Sequence, residues 1–191
     1  MAMTIVDTSF PQILQQYNNR AVIMIEQSAE GYFEKNIETI KLLIDNGFKG
    51  IYISFQRPFM NVYSMFKRYD IDTSKLLFID AAAALSGEKQ EENDRCIHIS
   101  GEIDIDEIVR AIYTALPRLQ SKKTFIFIDS LTTIALYKPL SETMRFSEFL
   151  VSLVRKEEQQ QTSLIFNVAE DLAQKKFIQE VAFRVDEVIR V

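Results

Sequence analysis

Five short runs in this chain are apolar at almost every position, and segments with helical spacing separate them. They fall at 21–25 (Ala-Val-Ile-Met-Ile), 50–55, 76–79 just ahead of Asp80, 124–129 and 162–168. A strand with one wet face alternates apolar and polar residues, so a run apolar on both faces has to be covered on both. Between the runs, Phe33, Ile37, Ile40 and Ile44 recur at helical spacing until Gly47 stops the pattern. Pro58 starts a second helical segment that reaches about Tyr69. Asp104 and Glu107 form a capping box ahead of Ile105, Ile108, Val109, Ile112 and Leu116, and Pro117 ends that helix. Ser141 opens a long helix with Phe146, Phe149, Leu150, Leu153 and Val154 inward, and a helix over about 171–183 precedes a last strand at 187–191. Cys96 to Ile99 alternates as a short extra strand, and the polar run 87–94 reads as a solvated loop. The alternation predicts an α/β fold, three layers α/β/α around a mainly parallel central sheet. No repeat and no Gly/Pro/Ser-rich linker divides the chain, so residues 1–191 read as a single domain.

Composition narrows the class. An apolar content of 47% over 191 residues excludes a disordered chain and allows a core without metal or disulfide staples. One cysteine, Cys96, forbids an internal disulfide and points to a reducing compartment. The net charge of −5 gives no concentrated basic face, so nucleic acid is not the expected partner. No apolar run approaches the roughly 20 residues that cross a bilayer, and residues 1–10 lack the pattern of a signal peptide. The expectation is a cytoplasmic protein without a membrane partner.

Open parallel sheets bind ligands at the carboxyl ends of their strands. The residues there are Glu26 to Phe33, Gln56-Arg57, Asp80, Asp129-Ser130 and Ala169 to Asp171. Phe125-Ile126-Phe127-Ile128-Asp129-Ser130-Leu131 resembles the Walker B strand of the KaiC-like branch of RecA-fold (P-loop) ATPases. Gly50 to Phe55 is similar to that family's strand ending in two acids, Leu77-Phe78-Ile79-Asp80 to its next strand, and Val185 to Val191 to its closing Asp-x-Val-Ile segment. The resemblance covers about residues 10–191 and implies RecA-like topology, with the strand ending at Asp129 central. It also implies a nucleotide site at Glu26, Glu30, Gly31, Tyr32, Phe33, Gln56, Arg57, Asp129 and Ser130, and assembly into rings.

The departures from the family pattern fall on its chemistry. Where G-x-x-x-x-G-K-[ST] would wrap phosphates, this chain has Glu26, four residues, then Gly31, Tyr32 and Phe33. Only the second glycine remains. Tyr32 replaces the lysine, Phe33 replaces the magnesium-holding hydroxyl, and Glu26 and Glu30 bring negative charge. One charge pair at 4 Å is worth about 4 kcal/mol at an effective dielectric near 20, so losing that attraction and adding repulsion should defeat triphosphate binding. Gln56 and Arg57 stand in place of the family's general-base glutamates, and neither takes a proton from an attacking water. The glycine-rich segment before the first strand is replaced by Gln16-Tyr17-Asn18-Asn19.

Asp129 is then expected as a strand-end carboxylate with a local hydrogen-bonding role rather than a magnesium ligand, and Ser130 as a local hydrogen-bonding group rather than a nucleophile. A single histidine, His98, cannot supply a multi-ligand metal site and reads as a surface or sheet-edge residue; Cys96 reads as a buried thiol or an ordinary surface one. No CxxC, HExxH or GxSxG pattern occurs. No catalytic residue, metal or cofactor is assigned. The segment 58–69 spreads Phe59, Met60, Val62, Tyr63, Met65, Phe66 and Tyr69 over about 220° of arc, about twice what one sheet face needs. Either residues 81–101 or a neighbouring helix covers the excess, or Phe59, Met60, Tyr63 and Phe66 form a protein interface.

The leading expectation is a non-catalytic pseudo-ATPase module acting in interaction or regulation, as a homo-oligomer or beside an intact KaiC-like ATPase paralogue. Two alternatives stay open: a small-molecule or nucleotide site that uses Arg57, Asp129 and the helix after Gly31, and an enzyme built on Glu26, Glu30 and Asp80, whose carboxylates could share magnesium.

Overall fold

The computed structural model describes residues 6–82, 93–100, 103–156, 161–171 and 174–191. The strands among them are β1 (Val22–Gln27), β2 (Lys49–Ser54), β3 (Leu76–Asp80), β4 (Cys96–His98), β5 (Lys123–Asp129), β6 (Gln161–Ala169) and β7 (Glu187–Arg190). They form one sheet in the order β4-β3-β2-β5-β6-β1-β7, with every neighbouring pair parallel. β5 is the middle strand, and each apolar run of the sequence became one of the inner strands.

The helices of the described residues cover the sheet: α1 (Val6–Gln16), α2 (Tyr32–Asp45), α3 (Phe59–Arg68), α4 (Ile105–Ala115), α5 (Leu131–Tyr137), α6 (Leu140–Lys156) and α7 (Lys175–Ala182). Because strand side chains alternate, two cores form back to back. Ile23, Ile25, Tyr52, Phe78, Phe125, Phe127 and Ile165 face α1, α2 and α3. Val22, Met24, Ile51, Ile53, Ile126, Ile128 and Leu164 face α4 to α7. The three-layer expectation holds. Gly50 sits hard against the aromatic core: a Cβ there would lie 2.2–2.4 Å from three carbons of the Phe125 ring.

Two helices escaped the sequence reading. α1 carries Pro11 inside it, which masks its helical pattern, yet Phe10 and Leu14 are fully buried against the sheet. α5 has only seven residues, begins with Leu-Thr-Thr-Ile, and is started by Ser130, whose side chain accepts from the Thr133 N–H. The polar loop expected at 87–94 falls largely outside the described residues, as does most of the 81–101 cover proposed for α3.

α3 resolves its own aromatic excess. Phe59 and Phe66 are buried core residues, which removes them from the list of interface candidates. They meet Tyr63, Phe78 and Tyr52 in edge and tilted ring contacts 5.0–6.1 Å apart. Met60 remains exposed, and Tyr63 is half-buried beneath the Lys67 ammonium, 4.6 Å from its ring centre. Among the described residues no helix is long and apolar enough to cross a membrane.

Candidate functional site: a sealed strand-end cleft

β1 carries the chain to Gln27, Ser28 to Gly31 turn it, and α2 begins at Tyr32. Gly31 sits at φ 71° in the left-handed region that L side chains avoid, so this turn needs the one loop glycine that was retained. Asp171, beyond β6, holds the turn by accepting from the Ala29 N–H (3.1 Å) and the Ser28 hydroxyl (3.0 Å). Those donors keep its carboxyl below the usual range.

Starting α2 at Tyr32 aims that side chain back under the helix toward the end of β5. The Tyr32 hydroxyl reaches the surroundings of Asp129, Ser130 and Asn36 but makes no hydrogen bond of good geometry with them. From the other side, the Tyr52 hydroxyl donates to Asp129 Oδ2. Tyr52 lies opposite Phe127 in the β2–β5 register, so Asp129, two residues on, projects from the same face. Between the two phenols Asp129 is 1% exposed. Burial pushes its carboxyl above the usual range, although the Tyr52 hydrogen bond, the neighbouring Tyr32 hydroxyl and the nearby Arg57 charge pull the other way. Burial, then the charge of Asp129, raises both phenols well above their ordinary value, so both stay protonated. The Asp129–Ser130 peptide is cis.

Beside this carboxyl lies a buried amide triad. Gln27 Nε2 donates to Asn36 Oδ1 (2.9 Å) and Asn167 Oδ1 (3.1 Å), and Asn167 Nδ2 donates to Asn36 Oδ1 (2.8 Å). Gln27 Oε1, Asn36 Nδ2, Tyr32 Oη and Asp129 Oδ1 are buried without a hydrogen-bond partner among the described residues. An unpaired buried polar group costs about 1–3 kcal/mol, so this concentration is an expensive feature beside the end of the central strand.

The remaining predicted residues line or border the cleft. Phe33 is buried beneath α2, stacked on Phe66 at 6.4 Å, and the Arg57 guanidinium lies 4.4 Å over its ring. Gln56 Nε2 donates to Thr133 Oγ1 (2.6 Å), and Ser130 Oγ accepts from the Thr133 N–H (3.2 Å). The open space bounded by Ala29, Gly31, Tyr32, Phe33, Glu34, Gln56, Arg57 and Ala169 is about 200 Å³. A larger cavity, about 700 Å³, lies between α4 and α6, and none of the predicted residues lines it.

The acids do not converge. Glu26 belongs to β1 rather than to the loop, and it points to the opposite sheet face from Gln27. There it pairs with Arg190 Nε at 3.0 Å, so its charge is compensated instead of repelling a phosphate. Glu30 is exposed on the turn. Asp80 ends β3, four strands from β1, a lateral separation of about 19 Å at the usual strand spacing. Glu26 and Asp80 therefore cannot share one magnesium ion, which removes that form of the enzymatic alternative.

Sequence reasoning placed Gln27 in the strand-end segment without giving it a role, and missed Asn36, Tyr52 and Asn167. The signal was present: Asn36 lies one helical turn after Tyr32, and Gln27 and Asn167 are amides at the ends of otherwise apolar runs.

Among the solved structures that share the fold are the following three. An uncharacterized protein of Pyrococcus horikoshii, crystallised in complex with an unknown peptide, matches at 14% identity and TM-score 0.66, over 94% of this chain and 82% of that one. A KaiC-like protein from Pyrococcus horikoshii OT3 matches at 14% identity and TM-score 0.58, over 90% and 70%. The flagellar accessory protein FlaH from Methanocaldococcus jannaschii matches at 15% identity and TM-score 0.59, over 97% and 78%. No curated protein matches the chain in sequence. The family model described as "ATPase: KaiC" matches residues 39–191, most of the chain and every strand except β1. With that match, the RecA-like sheet order and the Asp129-Ser130 strand end all in agreement, the chain belongs to the KaiC ATPase family.

Proposed function

We propose that this chain is a non-catalytic member of its family, a domain that contributes its surface to an assembly rather than turning over nucleotide. The observation that carries the reading is the closure around Asp129. The carboxylate that would hold magnesium is 1% exposed and sits between the Tyr52 and Tyr32 hydroxyls, with Tyr32 in the place of the phosphate-binding lysine. The cleft of about 200 Å³ is smaller than the roughly 300–1,000 Å³ of ordinary ligand pockets. Gln56 is engaged with Thr133 and Arg57 with Phe33, so neither is placed as a general base. The family match begins at Thr39, downstream of the loop that carries Glu30, Gly31, Tyr32 and Phe33.

The partner on this reading is a second copy or an intact paralogue of the same family. Met60 on α3 and Leu136 and Tyr137 at the end of α5 are exposed apolar groups of the kind interfaces use. One fold relative was crystallised with a peptide, a precedent for this fold serving as a binding platform.

The test is phosphate release from magnesium-ATP by purified protein beside its Asp129→Ala variant, with light scattering on both. Equal background release, together with a mass above the monomer alone or on addition of the paralogue, supports the reading. Release that depends on Asp129 contradicts it.

A further inference from the structure

On the α3 side of the sheet edge, three different metal-ligating side chains converge. Asp80 ends β3, and its register partner on β4 is His98; Cys96 is the partner of Phe78. Residues two apart on a strand share a face, so Cys96 and His98 project together beside Asp80. His98 Nδ1 lies 3.5 Å from Asp80 Oδ2 and 3.9 Å from Cys96 Sγ, and all three ligand atoms fall within 4.8 Å of one another.

These spacings suit a particular class of ion. With zinc bonds of about 2.0–2.3 Å at tetrahedral angles, the nitrogen–oxygen edge is about 3.4 Å and the edges to sulfur about 3.6 Å. The observed 3.5 and 3.9 Å need adjustments of a few tenths of an ångström, and the sulfur–oxygen edge, which lies within 4.8 Å, has to close by up to about 1.2 Å on binding. A mixed sulfur, nitrogen and oxygen donor set suits zinc and its tetrahedral surrogate cobalt, and is a poor choice for magnesium or calcium, which take oxygen.

The surroundings orient the ligands. Asp80 is fully buried, with Oδ2 accepting from the Phe59 N–H (2.7 Å) and Oδ1 from the Ala82 N–H (3.0 Å). The Phe59 ring stands edge-on to the His98 ring, 6.3 Å between centres at 82°, which limits imidazole rotation. Such outer contacts hold first-sphere ligands in place. The N-terminus of α3 opposes a cation with about half a positive charge, but a thiolate and a carboxylate supply two negative charges. Cys96 and His98 are only half-buried, which leaves a route for the ion.

We propose that Asp80, Cys96 and His98 form a zinc site, supplying three ligands from among the described residues. Binding displaces the Cys96 thiol proton to solvent. His98 ligates through Nδ1 as the neutral imidazole, with its proton on Nε2. The site does not depend on whether the Asp129 cleft is active, because it uses none of the cleft's residues.

The test is titration of chelator-treated protein with cobalt(II), followed by displacement with zinc. The expected result is one equivalent of cobalt with a thiolate charge-transfer band and intense tetrahedral visible bands, all bleached by zinc. Cys96→Ser should lose the charge-transfer band, and His98→Gln should lose tight binding. Circular dichroism checks that both variants fold, and if Cys96→Ser fails to fold, loss of binding in folded His98→Gln decides. Absence of the bands from the parent protein, or bands undiminished in folded His98→Gln, overturns the assignment.

Discussion

Tyr52→Phe isolates the interaction that the cleft depends on. The substitution removes one oxygen and leaves the ring between Phe127, stacked at 5.3 Å, and Phe66, edge-on at 5.2 Å. No cavity of consequence opens, so the cost is that of the hydrogen bond to Asp129 Oδ2. A bond to an ionised carboxylate is worth about 1.5–3 kcal/mol, and one to the neutral acid about 1 kcal/mol. Burial raises the Asp129 carboxyl in the folded chain, so its effect has a definite sign. Stability is greatest below the unfolded carboxyl's value of about 3.9 and declines as pH climbs through the raised folded value, because ionising a buried group is unfavourable. Tyr52 softens that decline by favouring the charged form. Urea unfolding as pH is raised should therefore show Tyr52→Phe losing about 1 kcal/mol where Asp129 is neutral and about 1.5–3 kcal/mol once it has ionised. In an Asp129→Asn background the pH dependence of the difference should vanish, a double-mutant cycle that reads the pair directly. A loss independent of pH in the parent, or one that keeps its pH dependence once the carboxylate is replaced by the amide, would refute the reasoning.

Two glycines should lose stability under alanine substitution for different reasons. At Gly50 a Cβ collides with the Phe125 ring in the middle of the sheet, so urea unfolding should show a loss of at least the roughly 1–3 kcal/mol typical of overpacking, or no folded protein at all. At Gly31 a Cβ meets nothing within 4 Å, so the loss should be only the left-handed backbone cost, about 1–2 kcal/mol. Tyr32→Ala empties the space beneath the start of α2 and should cost about 3–5 kcal/mol by the same assay. It should gain no affinity for magnesium-ATP, since neither a lysine nor a magnesium hydroxyl appears with the space.

Much of the fold was legible because parallel strands buried on both faces leave a strong signature. The runs at 21–25, 50–55, 76–79, 124–129 and 162–168 differ from the final strands by a few terminal residues. The short edge strand at Cys96 was found from alternation alone. α1 and α5 were missed because tertiary burial stabilises them: Pro11 interrupts one, and the other is a single short segment capped by Ser130. At the site, the sequence put Tyr32 at the strand-end turn, where the resemblance leads one to expect a lysine, but it did not show what would reach Asp129. That depended on Tyr52 reaching across from β2, a contact set by strand register and invisible to local pattern. Charge reasoning about Glu26 failed for the same kind of reason. Its strand parity turned it to the opposite face, where Arg190 meets it. The sequence also carried no sign that β3 and β4 bring Asp80 beside Cys96 and His98, with their ligand atoms within 4.8 Å of one another.

Loss of the triphosphate cradle is tested most directly by calorimetric titration of nucleotide-free protein with magnesium-ATP. A sealed cleft predicts no saturable heat up to about 1 mM ligand, corresponding to binding weaker than about −4 kcal/mol. Saturable one-to-one binding in the micromolar range that disappears in Asp129→Asn would contradict it, because the enclosed carboxylate would then be holding a metal and a nucleotide after all.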